Sequence, residues 1–197
     1  MTFRRLGDSI TTVDGKDIGL RTAGATRAVF DFAWEKMRRR LFEKGASEAE
    51  TRATRNHAII ALQLGLEICD SPIERTLLPA LVLADYGVVS DKPAKLHDPK
   101  RECLPDGPVV IIPQFAFARS RMDFAVAVRF KGHLQMFCIE CDGAAFHTAA
   151  NNIVRDGYFA SWGMPTTRLS GAEIYQDTLA AAQKALAPIH DWARHVK

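Results

Sequence analysis

The sequence predicts a protein of the α/β (α+β) class, with a mixed central sheet flanked by helices. Apolar residues recur at helical spacing through the first third of the chain. Three short runs rich in β-branched and aromatic residues follow, at 109–117, 122–130 and 134–142. Further helical and strand-like segments then alternate towards the C-terminus. At 197 residues, the chain is long enough for one well-filled core.

The helices before the sheet have clear start signals. Phe30, Trp34 and Met37 lie on one face of a first predicted helix over 26–44. Ser47 with Glu50 forms a capping box, which opens a second helix. A third helix opens at Ser71, where proline follows as the first helical residue. The polar, aperiodic stretch 87–108 predicts a long surface loop.

The remaining elements complete the order ααα-βββ-α-β-α. Lys131 and Gly132 predict the turn between the second and third strands. A helix over 148–162 and a strand over 165–170 follow. A second capping box, Ser170 with Glu173, opens one continuous C-terminal helix.

Composition limits the classes of protein to consider. The net charge is only +3, and no segment is apolar for long enough to be a signal peptide or to cross a bilayer. We therefore expect a soluble cytoplasmic protein without membrane association. Cys138 and Cys141 form a C-x-x-C, but in a strand they point to opposite faces, which disfavours structural zinc.

Basic residues gather in the N-terminal helices, where Arg38, Arg39 and Arg40 are consecutive. This run is typical either of a phosphate-binding surface or of a solvated helix face, and the sequence alone allows both.

Carboxylates gather near the start of the second strand and at the end of the third, which lie at the same edge of a hairpin. Glu140 and Asp142 alternate onto one face of their strand, and the turn at Gly132 brings Asp123 of the preceding strand close to them. Acids within apolar strands need a partner, and a hard divalent cation such as Mg²⁺ is the usual one for several together. Ion pairing of Asp123 and Glu140 with Arg121 or Arg168 is the alternative.

Four segments, in order, resemble the PD-(D/E)XK nuclease superfamily, in particular the branch of the very-short-patch repair endonuclease. They are SPIERTLLPAL (71–81), PQFAFARSRMDFAV (113–126), FCIECDGAAFH (137–147) and RDGYFASWGMPTTRLSGAEI (155–174). The resemblance covers roughly residues 66 to 195. It implies a restriction-endonuclease-like domain over 67–197, preceded by an N-terminal helical extension over 1–66. The superfamily's lysine is replaced here by Asp142, which leaves the group that activates water open.

The resemblance implies a metal-dependent endonuclease that hydrolyses phosphodiester bonds of DNA. Mg²⁺ is the implied cofactor, Mn²⁺ is expected to substitute for it, and no small-molecule cofactor is implied. The expected metal ligands are Asp123, Glu140 and Asp142, and Glu74 and His147 join them in catalysis. The residues expected to contact nucleic acid are Gln114, Arg121, Arg155, Arg38, Arg39 and Arg40.

Several of these residues also have simpler interpretations. Glu74 completes a capping box with Ser71, Asp142 before a glycine can end a strand, and Arg155 can pair with Asp156. Three other functions therefore stay open: a catalytically inactive nuclease fold that binds DNA, a metal-independent acid/base hydrolase such as a glycosidase, and a protein-interaction module.

Overall fold

A computed structural model describes residues 4–6, 9–11, 22–143 and 149–197 of the chain. The helices in these ranges are α1 (Gly24–Glu43), α2 (Glu48–Ile68), α3 (Pro72–Val82), α4 (Ala149–Ser161), α5 (Gly171–Gln176) and α6 (Thr178–His195). The strands are β1 (Arg4–Leu6), β2 (Ser9–Thr11), β3 (Lys95–Leu96), β4 (Val109–Phe117), β5 (Ser120–Phe130), β6 (His133–Asp142) and β7 (Thr166–Ser170). The mixed α/β class is confirmed.

The central sheet has five strands in the order β3-β4-β5-β6-β7, and β1 pairs with β2 in a separate two-stranded sheet. Strands β4, β5 and β6 are antiparallel neighbours, whereas β3 and β7 each run parallel to the strand beside them. The predicted turn between β5 and β6 is confirmed, because Lys131 and Gly132 both have positive φ and Phe130 pairs with His133. The sheet is therefore mixed, as the sequence predicts.

One face of the sheet carries the larger core, to which α1, α2, α3, α5 and α6 all contribute buried residues. Residues of α1 and α2 thus share this core with the strands. The expected boundary between the N-terminal extension (1–66) and the nuclease-like domain (67–197) falls inside α2. The capping boxes Ser47–Glu50 and Ser170–Glu173 both form as predicted. From this layer, Glu74 of α3 reaches Gln114 of β4.

The other face carries a smaller core, built around Phe159 of α4. Phe117 of β4 contacts three aromatic rings of this region, with centroid distances of 6.3 Å to Tyr158, 6.5 Å to Phe159 and 5.6 Å to Trp162. These contacts fix the rotation of α4 over the sheet, and with it the direction of the charged side chains that α4 carries.

Two expectations from the sequence are wrong. The stretch 87–108 is not simply a surface loop, because β3 adds an edge strand and Ala94 and His97 beside it are buried. The C-terminal helix is not continuous, because Asp177 leaves the helical conformation and its carboxylate accepts the N–H groups of Leu179 and Ala180. Asp177 thereby caps α6 and separates it from α5.

Among the helices that the structure describes, none is both long enough and apolar enough to cross a membrane.

Candidate active site

A row of polar residues crosses four strands of the otherwise apolar sheet. In the register of β4 and β5, Gln114 stands opposite Asp123, because its neighbours pair as Pro113 with Phe124 and Phe115 with Met122. The register of β5 and β6 continues the row from Asp123 to Glu140, and Glu140 pairs with Arg168 of β7. Four side chains with hydrogen-bonding or charged groups thus lie side by side, just beyond the last paired residues of β5 and β6.

The backbone changes course at this row. Gln114 has φ of +53°, a conformation that costs a non-glycine residue about 1 kcal/mol or more. Side-chain alternation shifts with it, since Ile112 and Phe115, three positions apart, both pack in the smaller core. Met122 and Ala125 of β5 show the same shift on either side of Asp123. Such strain is found mostly at functional sites, and here it accompanies the turn of Gln114 towards α3.

Gln114 holds the carboxylate of Glu74, which is 4% exposed. The Nε2 of Gln114 donates to Oε2 of Glu74 over 2.6 Å, and the N–H of Asp70 donates to the same oxygen over 3.2 Å. The hydroxyl of Ser71 accepts from the N–H of Glu74 at 3.3 Å. Only this half of the predicted capping box is found, because the Glu74 side chain is turned to Gln114. Burial raises the pKa of Glu74, and the charge of Asp123 adds to the rise.

Asp123 is anchored to the neighbouring strand. Its Oδ2 accepts the backbone N–H of Cys141 over 2.7 Å, beyond the last paired residues of β5 and β6. This bond places Asp123 where its charge disfavours ionisation of both Glu74 and Glu140. Asp123 is therefore the acid that couples α3 to β6 electrostatically.

Glu140 is the most deeply buried of the acids in the row, at 2% exposed. Burial, followed by the charge of Asp123, raises the pKa of Glu140 to about 7. Two donors oppose this effect: Arg155 Nη2 forms a short charged hydrogen bond to Oε1, and the Cys138 thiol lies 3.3 Å from the same oxygen. The site thus contains a carboxyl group that is poised to change charge near neutral pH.

Asp142 belongs to a second ion-paired group on the same side of β6. Nη1 of Arg168 lies 2.7 Å from Oδ1 of Asp142. The same guanidinium holds Asp156 of α4 through two parallel bonds, Nε to Oδ2 at 2.9 Å and Nη2 to Oδ1 at 2.8 Å. Arg168 therefore joins β6, β7 and α4, and Asp156 does not pair with its neighbour Arg155.

Arg155 reaches the row from α4. Its Nη2 also donates to the backbone carbonyl of Arg121 over 2.8 Å, and its guanidinium lies 5.8 Å from the centroid of the Phe159 ring. Arg155 Nε and Gln114 Oε1 are buried, and neither has a hydrogen-bond partner in the part of the chain that the structure describes. One unused donor and one unused acceptor therefore border the acids, which is the arrangement expected where a ligand is to bind.

The structure brings Glu74, Gln114, Asp123 and Glu140 together. Within the described ranges, no group of three or more His, Cys, Asp or Glu side chains is arranged to hold a metal ion. Asp142 lies farther along β6, where Arg168 pairs with it. His147 lies outside the described residues.

The expected nucleic-acid contacts fall in separate places. Arg121, with 61% of its side chain exposed, pairs with Asp70 at 2.7 Å near the row. Arg38 and Arg39 line a cleft between α1 and α2, far along α2 from the acids. Arg40 faces another way, since its Nη2 lies 2.9 Å from Oδ1 of Asp85. The three consecutive arginines thus do not form one surface, because successive residues of a helix are about 100° apart.

The sequence does not predict two groups that contribute to the site, the backbone N–H of Cys141 and the side chain of Arg168 in its observed pairs. The N–H of Cys141 is a backbone group, and a sequence pattern gives no signal for it. The sequence offers Arg168 only as a partner of Asp123 or Glu140, whereas in the structure it pairs with Asp142 and Asp156. Its place in a short strand beside an acidic strand was the available signal. The two cysteines of the C-x-x-C lie in opposite cores, as expected.

The chain matches no known protein family, no curated protein and no solved structure.

Proposed function

We propose that this protein is a Mg²⁺-dependent DNA endonuclease with a restriction-endonuclease-like core, which hydrolyses phosphodiester bonds. The observation that carries the proposal is the adjacency of Asp123 and Glu140 in the polar row, with a carboxylate on α3 held towards them by Gln114. Burying acids that repel one another is unfavourable unless a cation, an ion pair or a proton offsets the repulsion, and a bound cation would offset it for both acids at once. The order of a helix bearing an acid, three antiparallel strands, a helix and a parallel strand supports the same proposal.

The donor chemistry of Asp123 and Glu140 suits a hard divalent cation, although the described carboxylates are not already arranged as a three-ligand metal site. Their donors are carboxylate oxygens, which Mg²⁺ and Mn²⁺ prefer, and the unused Oε1 of Gln114 is a further oxygen beside them. The charge of Asp123 raises the pKa of Glu140, which is the repulsion that a cation would relieve. Asp123 and Glu140 would hold the ion, and Glu74 and Asp142 would hold its waters or a second ion.

When bound, Mg²⁺ would polarise a phosphoryl oxygen and lower the pKa of a water molecule. The protein's own residues have distinct parts in the proposed reaction. Glu74, fixed by Gln114, would orient the attacking water. Arg155 would donate to a phosphate oxygen in place of Glu140. Its Nε, which has no partner among the described residues, would supply a second bond to the phosphate. His147 stays a candidate for proton transfer, and the cytoplasm stays the expected location.

A catalytically inactive, DNA-binding protein is the second candidate. The observation that favours it is the ion pairing of both acids of the E-x-D sequence, Glu140 with Arg155 and Asp142 with Arg168. If these arginines permanently replace the cation, the fold would bind DNA without cutting it. Mg²⁺-dependent cleavage separates the two candidates.

A plasmid-cleavage assay tests the proposal. We expect supercoiled DNA to be cut in Mg²⁺ or Mn²⁺, cutting to stop in EDTA, and Glu140→Gln to abolish it. Glu102→Gln is the matched control, because Glu102 is an exposed acid of the 87–108 stretch. DNA binding without cutting in any divalent ion would favour the inactive alternative, and undiminished cutting in EDTA would favour a metal-independent acid/base enzyme.

A further inference from the structure

A cleft between the last turns of α1 and the first turns of α2 has four arginines among its ten lining residues. Arg38 and Arg39 come from α1, and Arg52 and Arg55, one turn apart, come from α2. We call this feature the arginine cleft. It has a volume of about 980 Å³, and its lining contains four arginines against two glutamates, Glu35 and Glu48. Arg38 pairs with Glu35 within the lining, Nε to Oε2 at 2.8 Å, so the positive excess comes from the other three arginines.

Aromatic rings accompany these charges. Phe42 stands at the cleft with 81% of its surface exposed, and Trp34 lies beside it at 9% exposed. Trp34 belongs to the core, so Phe42 is the ring that a ligand in the cleft could reach, and its burial against a partner would contribute about 2 kcal/mol. An exposed ring beside guanidinium groups is typical of surfaces that hold a sugar-phosphate chain, where the ring contacts a sugar or a base.

The arginine cleft is distant from the polar row. Arg52 and Ile68, at the end of α2 nearest the row, are separated by 16 positions, or roughly 24 Å of helix. At about 3.4 Å per base pair, this is the length of about seven base pairs of duplex. A nucleic acid in the cleft would therefore be held well away from the reacting phosphate.

We propose that the arginine cleft is a second DNA-binding site, which grips the phosphate backbone well away from the site of hydrolysis. The identity of the polyanion as duplex DNA rests on the proposed function. Because phosphate contacts carry no base information, the cleft contributes affinity and salt dependence without sequence preference. It does not take part in the chemical step.

The test measures binding of a fluorescent 20-base-pair duplex in EDTA across a series of salt concentrations. Arg39→Ala with Arg52→Ala should lower the slope of log affinity against log salt by about 2, since each phosphate contact contributes about 1. Affinity should fall about tenfold or more. Arg27→Ala with Arg194→Ala is the matched control, because it removes the same number of positive charges from helices but outside the cleft. Arg27 pairs with Asp31, and Arg194 pairs with Asp191. A thermal melt confirms that each variant folds.

An unchanged slope, or an equal fall in the control pair, would overturn the cleft proposal. Failure to bind duplex at all, with retention of polyglutamate instead, would overturn it in favour of an acidic protein partner. Neither result tests whether the parent protein cuts DNA, which the plasmid-cleavage assay measures. Conversely, a lowered slope in a protein that never cuts DNA would support the cleft and overturn the endonuclease proposal.

Discussion

Arg155 donates a hydrogen bond to the carboxylate of Glu140, and the two side chains are 21% and 2% exposed. The protein thus supplies its own positive charge to the most buried acid of the polar row. Asp123 acts in the opposite direction, because its charge helps to raise the pKa of Glu140. The balance between these two neighbours determines both the stability of the site and its readiness to accept a cation.

Glu140 should make the metal-free protein less stable as pH rises from about 4.5 to about 7. Glu140 has its pKa raised from 4.5 to about 7 in the folded protein, so the folded state binds more protons than the unfolded state across this interval. Glu140→Gln should remove this loss, with a relative gain of up to about 3 kcal/mol at pH 8 compared with pH 5. Urea unfolding in EDTA at both pH values measures it. Glu102→Gln should show the same change in the free energy of unfolding between pH 5 and pH 8 as the parent. The same change in Glu140→Gln would contradict the prediction.

Removing Arg155 should leave a buried carboxylate without its cation. We expect Arg155→Ala to lower the free energy of unfolding by about 2 kcal/mol at pH 8, less than for a fully buried pair because Glu140 can take up a proton. Adding Glu140→Gln should restore part of the loss. A double-mutant cycle from urea unfolding measures the coupling, and additive effects of the two changes would show that the pair contributes nothing.

Arg168 should not tolerate lysine. Its two parallel bonds to Asp156 and its bond to Asp142 need a planar guanidinium, which an ammonium group cannot replace. Arg168→Lys should therefore cost about 1–2 kcal/mol in the free energy of unfolding. Arg194→Lys, at an exposed pair with Asp191, is the control and should change it by less than about 0.5 kcal/mol. Equal effects at both positions would mean that the bond geometry around Arg168 is unimportant.

Neighbouring arginines of α1 should differ in their effect on DNA binding. Arg39 lines the arginine cleft, whereas Arg40 pairs with Asp85 on another side of the helix. Arg39→Ala should lower the salt slope by about 1, and Arg40→Ala should change it much less. Anisotropy titrations of one duplex with both variants decide this. Equal slopes for the two variants would indicate a diffuse effect of net charge.

The sequence predicts the elements better than their mutual placement. Local signals were sufficient for both capping boxes and for the turn at Gly132, because each depends on a few adjacent residues. The break at Asp177 was missed because the apolar periodicity continues on both sides of it. The strand at Lys95 was missed because two residues are too few to show a period.

The candidate site shows the same division. Alternation along a strand was enough to expect Glu140 and Asp142 on one face, and the hairpin register brought Asp123 to Glu140. The pairing of Arg155 with Glu140 rather than Asp156 depends on how α4 is rotated over the sheet. That rotation follows from the packing of Phe117 on Tyr158 and Phe159 of α4, which no local pattern in the sequence encodes.

We propose above that Asp123 and Glu140 form a cation site that serves hydrolysis. Titration calorimetry with Mn²⁺ tests this directly, without relying on activity. Asn can still accept the N–H of Cys141, so Asp123→Asn should fold normally and should lose one negative ligand.

We expect the parent protein and Glu102→Gln to bind Mn²⁺ with release of protons near pH 6.5, because a carboxyl group with a pKa of about 7 must ionise to act as a ligand. Asp123→Asn should weaken this binding at least about tenfold. Equal affinity for Mn²⁺ in the parent and in Asp123→Asn would show that Asp123 does not bind the cation.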